Sequence, residues 1–99
     1  MIKIKISRKN DKLNKIIISG HSGYDELGKD IVCASVSSIT ITSINLALSI
    51  DKEKIDYQES EGYLAIEILD EELVYIFDNM LLMLRELANE YPKNIEIKE

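Results

Sequence analysis

The sequence predicts an α+β domain in which two helices pack on a mixed sheet. Three observations support this fold class: short segments in which apolar and polar residues alternate, a 20-residue segment after a glycine-rich loop, and a periodic apolar segment that stops at Pro92. The predicted order of elements is ββαββαβ. A chain of 99 residues is expected to form one domain over residues 1–99.

The first predicted elements form an antiparallel hairpin. Residues 2–6 alternate Ile and Lys, which is the period of a half-buried strand. Residues 13–19 contain three consecutive isoleucines and follow a polar turn at residues 9–12. Two such segments joined by a short polar turn are typical of a β-hairpin.

The first helix is predicted to begin at Ile31, after a glycine-rich loop at residues 20–29. Asp30 precedes it and is a favourable N-cap residue. Apolar residues recur mostly three or four positions apart, although the β-branched residues 39–42 alternate as they would in a strand. We predict a helix over residues 31–50, because the whole segment is too long for one strand.

A second hairpin and a second helix follow. Residues 54–59 and 63–69 flank a turn at residues 60–62. Asp70 then caps a periodic helix that is predicted to end at about Tyr91.

The apolar stripe of this second helix is wider than one face. Val74, Leu82 and Met83 lie outside the main stripe, and we interpret them as part of a homodimer interface. The other explanation is a core helix that is covered on two sides. Ile95 and Ile97 alternate in a short last strand.

Composition and charge restrict the class of protein. The formal net charge of −6 disfavours direct nucleic-acid binding and favours a basic partner. The N-terminal residues lack the apolar stretch of a signal peptide, and segment 31–50 is interrupted by Ser35, Ser37, Ser38, Thr40, Thr42 and Ser43, so no membrane association is expected. A single cysteine permits no internal disulfide. The sequence therefore predicts a cytoplasmic protein.

The segment GHSGYDELGKDIVCASVS, residues 20–37, carries the candidate chemistry. His21 and Cys33 are the only histidine and the only cysteine, and Cys33 is the third residue of the predicted first helix. Main-chain N–H groups at a helix start stabilise a thiolate, and an imidazole can accept the thiol proton. The amides of Ile31, Val32 or Cys33 are candidate donors to a developing oxyanion.

Cys33 and His21 also have other interpretations. A lone cysteine is usually a buried small apolar residue. One Cys and one His supply two ligands where a structural zinc site needs four, so neither a metal nor any other cofactor is expected. No second cysteine is present for thiol redox catalysis. The stronger alternative is a non-enzymatic dimeric module that binds a peptide or a ribosome-assembly partner.

The whole segment resembles the signature of the ribosomal-processing cysteine protease family, Prp. That signature is a Gly-His pair, a glycine-rich loop, and then Gly-x-Asp-x-Val-Cys-Ala-x-Val-Ser. It covers less than a fifth of this chain. The matching residues are Gly20-His21, Gly23, Gly28, Asp30, Val32-Cys33-Ala34 and Val36-Ser37.

The resemblance implies a bacterial cysteine endopeptidase with Cys33 as nucleophile and His21 as base. It implies removal of a short N-terminal extension from a large-subunit ribosomal protein, after apolar and aromatic residues and before a small one. It also implies a homodimer.

The remaining signature residues are expected to support this pair. Gly20, Gly23 and Gly28 are assigned to a substrate-binding loop that orders around substrate. Asp30 either positions the first helical turn as N-cap or orients His21. Ser37 follows Cys33 by one helical turn, where it either hydrogen-bonds near the site or permits close packing.

Overall fold

Five strands form one mixed sheet in the order β3-β4-β2-β1-β5. The structure is a computed structural model that describes residues 1–26 and 29–99. Every neighbouring pair of strands is antiparallel except β1 and β5, which are parallel. The strands are β1 (Ile2–Lys9), β2 (Lys12–Ser19), β3 (Ile55–Ser60), β4 (Tyr63–Ile68) and β5 (Ile95–Lys98), and the helices are α1 (Ile31–Ile50) and α2 (Val74–Glu90). The predicted fold class and element order are confirmed.

The strand register gathers the apolar residues on one face of the sheet. Ile4 pairs with Ile18, and Ile18 pairs in turn with Leu64. Side chains of directly paired residues project to the same face, so the alternation in β1 continues across the sheet. Both helices contribute to the core that covers this face. Its fully buried side chains include Ile4, Ile16, Val32, Ile66, Leu73, Phe77, Met80 and Leu84.

Helix α1 has the predicted bounds, and residues 39–42 are helical. Thr40 is buried, and its hydroxyl donates to the main-chain oxygen of Val36 at 2.9 Å. That bond stays within the helix, so the β-branched threonine is accommodated there. The helical period outweighed the strand-like alternation in this segment.

Helix α2 begins later than the sequence predicted. Asp70 caps a short 3-10 turn at Glu71–Leu73, and the α-helix starts only at Val74. Leu82 and Met83 are 56% and 44% exposed, as expected for residues outside the core stripe. Val74 is half-buried and packs against the core.

Length and composition alone would allow α1 to cross a membrane, although 28% of its most apolar 18 residues are buried inside the protein. By this criterion, the Ser and Thr residues do not make the segment too polar to cross a membrane, so the prediction on that point was wrong. Ser35, Thr40 and Ser43 donate their hydroxyls to main-chain oxygens of the same helix, which satisfies these polar groups internally. The core helix of a soluble protein meets the same criterion.

Candidate active site

A groove of about 210 Å³ lies between the first half of α1 and the ends of β2, β3 and β4. The fold brings four of the predicted site residues together here, because the groove is lined by Gly20, His21, Cys33 and Ser37. Glu59 also lines it. The apolar part of the lining is formed by Ile2, Ile18, Val36, Ile41 and Leu64. The groove therefore combines a thiol and an imidazole with an apolar surface.

Cys33 lies in the first turn of α1 and is half-buried. Its Sγ accepts a hydrogen bond from the main-chain N–H of Ser22 at 3.3 Å. Ser22 directly follows His21, so the loop that carries the imidazole is in contact with the thiol. The sulfur therefore has a main-chain hydrogen-bond partner from the loop that precedes α1.

Asp30 organises the start of α1. Its Oδ1 accepts hydrogen bonds from the amides of Val32 at 3.0 Å and Cys33 at 2.9 Å, and its Oδ2 accepts from the Ser22 hydroxyl. Both carboxylate oxygens are thus engaged by the helix and by Ser22. Of the two predicted roles, the structure supports the N-cap.

Burial and hydrogen bonding act in opposite directions on Asp30. Partial burial opposes its ionisation, but hydrogen bonds from the Ser22 hydroxyl and the Cys33 amide outweigh that effect and lower the pKa of the carboxyl from 3.8 to about 2. Asp30 is therefore a carboxylate at neutral pH. The ionised carboxylate accepts hydrogen bonds from two amides and so holds the first turn in place around Cys33.

The capping bonds correct the expectation for the oxyanion donors. The amides of Val32 and Cys33 already donate to Asp30, so they are not available to a substrate oxygen while the cap is intact. Ile31 is the one of the three predicted donors that Asp30 does not engage. The Ser22 amide is a further donor beside the sulfur, and the sequence did not indicate it.

His21 is exposed and lies against the turn between β3 and β4. A Cβ added at Gly62 would come within 3.2 Å of the imidazole Nε2, and Gly62 has a φ of +68°. The main-chain oxygen of Gly62 accepts from the amide of Gly20 at 2.9 Å. The sequence predicted a turn at this glycine but gave no sign that the pairing of β2 with β4 places it beside His21.

The predicted loop glycines differ in their surroundings. A Cβ added at Gly20 would lie 2.4 Å from the main-chain oxygen of Met1, so this glycine permits a close approach of the first strand. Gly23 is exposed, and a Cβ there would meet no atom within 4 Å. Gly28 lies outside the described residues. Only Gly20 of the three lines the groove in the described part of the chain.

Two residues outside the signature also support the loop. The side-chain Nδ2 of Asn94, just before β5, donates to the main-chain oxygen of Ser22 at 3.0 Å. Tyr24 packs edge-on against Tyr91, with ring centroids 5.4 Å apart. No motif marks these contacts in the sequence, because they join segments about 70 residues apart.

Within residues 1–26 and 29–99, no three or more His, Cys, Asp and Glu side chains are grouped so that they could hold a metal ion. The main-chain and hydroxyl donors to Cys33 Sγ and to the Asp30 carboxylate are the amides of Ser22, Val32 and Cys33 and the Ser22 hydroxyl.

Comparison with known proteins identifies the class as cysteine protease. A family model described as "Cysteine protease Prp" matches residues 1–96, and the chain therefore belongs to the Prp family of cysteine proteases. The chain is 31% identical to the ribosomal processing cysteine protease Prp of Staphylococcus aureus, over 98% of this chain and 97% of that protein. It is 32% identical to the protein of the same name from Mycoplasma genitalium, over 100% and 96% of the two chains.

Two solved structures have the same fold. The crystal structure of the essential ribosomal processing protease Prp from S. aureus with a covalently linked product peptide matches with a TM-score of 0.92 and 30% identity, over 99% of this chain and 98% of that chain. The structure of the S. aureus protease with a substrate peptide matches with a TM-score of 0.86 and 29% identity, over the same shares.

Proposed function

We propose that this chain is an endopeptidase in which Cys33 is the nucleophile and His21 is the general base. The observation that carries the proposal is the groove itself, in which the thiol at the start of α1 and the imidazole of the preceding loop share one apolar-lined cleft. The Ser22 amide on the sulfur supports a nucleophilic role, because it stabilises the anion. A cysteine that served only as core packing would not need an imidazole and an amide donor beside it.

The proposed reaction has two steps. Cys33 Sγ attacks the scissile carbonyl carbon, its proton passes to His21, and His21 then protonates the amine as the C–N bond breaks. The resulting thioester is attacked by water, whose proton His21 accepts and returns to the departing sulfur. The oxygen of that water remains on the new carboxylate, so the enzyme is restored and one peptide bond is hydrolysed.

The proposed substrate is the N-terminal segment of a large-subunit ribosomal protein. The apolar lining of the groove suits an apolar or aromatic extension, and the net charge of −6 favours approach of a basic protein. The relatives named ribosomal processing cysteine proteases support this assignment, as does an S. aureus relative bound to a substrate peptide. The proposed location is the bacterial cytoplasm, where ribosomal proteins are synthesised.

The test is cleavage of a peptide that spans the extension of the ribosomal protein from the same organism, followed by mass spectrometry. Wild type should yield two products, and Cys33→Ala should yield none while keeping its fold and its peptide binding. His21→Ala should lower the rate by about a hundredfold or more, because the thiol loses its proton acceptor.

Cys33→Ser is the matched control, because it replaces the thiol with a hydroxyl of similar size that is a far weaker nucleophile. Circular dichroism of each variant separates loss of chemistry from loss of fold. If wild type leaves the peptide intact, or Cys33→Ala cuts it equally well, the non-enzymatic binding module becomes the better account.

The exposed apolar residues of the helices support a homodimer as part of this proposal. Ile31 and Ile50 on α1 and Leu82 and Met83 on α2 remain exposed in the single chain. Burial of such side chains between two copies would remove them from water. Light scattering at micromolar concentration should give about twice the chain mass, and a monomer at that concentration would contradict the homodimer.

A further inference from the structure

Among the described residues, Ser22 supplies the one main-chain N–H that donates to Cys33 Sγ, at 3.3 Å. The Val32 and Cys33 amides donate to Asp30 instead of the sulfur. Ser22 is only 2% exposed, although it lies in a loop between two exposed residues. The position of this one residue therefore decides whether the thiol has a main-chain donor.

Asn94 holds the main-chain oxygen of Ser22. The Asn94 Nδ2 donates to the Ser22 oxygen at 3.0 Å. Asn94 is itself fixed by its main chain, because its amide donates to Tyr91 at 3.0 Å and its oxygen accepts from Ile2 at 2.9 Å. The side chain thus extends from a rigid junction between α2, β5 and β1 to the loop that follows His21.

We infer that Asn94 is a positioning residue for the proposed nucleophile: by fixing the Ser22 oxygen it directs the Ser22 N–H at the Cys33 sulfur. This inference rests on the proposed function for its catalytic consequence, but its effect on the thiol is measurable without any substrate. The Ser22 hydroxyl has a separate partner in Asp30, so the two supports of Ser22 can be removed one at a time.

The experiment compares wild type with Asn94→Leu, which has a similar size and lacks the donor. The rate of iodoacetamide labelling of Cys33 is measured at one fixed pH, and kcat and KM are measured on the ribosomal peptide. In Asn94→Leu the labelling rate should fall about fivefold, because the sulfur loses a positioned hydrogen-bond donor. The value of kcat should fall about tenfold or more, because the donor and the adjoining His21 are misplaced, while KM changes little.

Asn14→Leu is the matched control, because Asn14 is a half-buried asparagine at the far end of β2. It should leave both the labelling rate and kcat at wild-type values. Ser22→Ala removes the hydroxyl but keeps the amide, so it should lower the labelling rate less than Asn94→Leu does. If Asn94→Leu does not fold, as judged by its thermal midpoint, Asn94→Ala is measured in the same way.

A folded Asn94 variant with the wild-type labelling rate would overturn the inference, even if the protein cleaves its peptide normally. A lowered labelling rate in a protein that never cleaves the peptide would instead keep the positioning role of Asn94 and reject the proposed protease. A loss of thermal stability with no change in either the labelling rate or kcat would show that Asn94 is only structural.

Discussion

The two helices of this protein start and pack in different ways. Helix α1 begins at a side-chain cap in which Asp30 accepts two amides, whereas α2 begins after a 3-10 turn and its N-cap residue, Leu73, makes no side-chain cap bond. The buried residues of α1 include Thr40 and Ser43, while those of α2 are Phe77, Met80, Leu81 and Leu84. Both helices bury apolar side chains, but α1 also buries two hydroxyls and carries Cys33 in its capped first turn.

The largest effect on stability is expected in α2. Phe77 is 0% exposed at the centre of the core, and Phe77→Ala should lower the free energy of unfolding by about 3–5 kcal/mol, because it loses buried apolar area and leaves a cavity. Urea denaturation followed by circular dichroism measures this change. Tyr75→Ala is the control on the same helix: its side chain is 82% exposed, so stability should change by about 0.5 kcal/mol or less. Similar effects of the two substitutions would remove the contrast between the helices.

A smaller loss of stability is expected at the cap of α1. Asp30→Ala should lower the free energy of unfolding by about 1 kcal/mol, because two amides of the first turn lose their acceptor. It should also slow peptide cleavage, because that turn carries Cys33. The control is Asp70→Ala, which removes a cap with one amide partner, Glu72, far from the groove. Equal cleavage rates for wild type and Asp30→Ala would separate the cap from the site.

The same carboxylate predicts how stability depends on pH. The native pKa of Asp30 is about 2 and its ordinary value is 3.8, so the ionised form stabilises the native state above the ordinary value. This contribution is lost as the pH falls from about 4 through about 2. Asp30→Asn keeps a capping side chain without that titration, so its thermal midpoint should fall less steeply than wild type across this range. Parallel curves for the two proteins would contradict the assigned pKa.

The smallest effect is expected at a buried hydroxyl of α1. The Thr40 hydroxyl donates to oxygens of its own helix, at 2.9 Å to Val36 and 3.1 Å to Ser37. Thr40→Val keeps the shape and removes only this internal bond, so stability should change by about 1 kcal/mol or less. Urea denaturation provides the measurement. A loss as large as that of Phe77→Ala would contradict the minor contribution expected from this hydroxyl.

Much of the fold could be predicted from the sequence because its signals are local. The alternation of Ile and Lys marked β1, and Asp30 placed the start of α1 at the correct residue. The errors also have local causes: β1 continues to Lys9 through an irregularity between Ser7 and Arg8, which the simple alternation did not include. The apolar period of α1 indicates its buried face only in part, because Ile50 is exposed while Thr40 is buried.

The candidate site could be predicted only where its residues are close in the chain. His21, Cys33 and Asp30 lie within one segment, so their association could be foreseen. Gly62 and Asn94 reach the same place through the pairing of β2 with β4 and of β1 with β5, which no local pattern encodes. The engagement of the Val32 and Cys33 amides follows from the predicted cap at Asp30, although the sequence analysis also considered these amides as oxyanion donors.

The parallel pairing of β1 with β5 has a consequence for the timing of assembly during translation. Cys33, His21 and Asp30 are synthesised well before Asn94, which directly precedes β5. A nascent chain that ends before residue 94 has the thiol and the imidazole but lacks the amide that holds Ser22, and its β1 lacks a strand partner on one side. Full reactivity of the thiol is therefore expected only after the last strand has left the ribosome and docked.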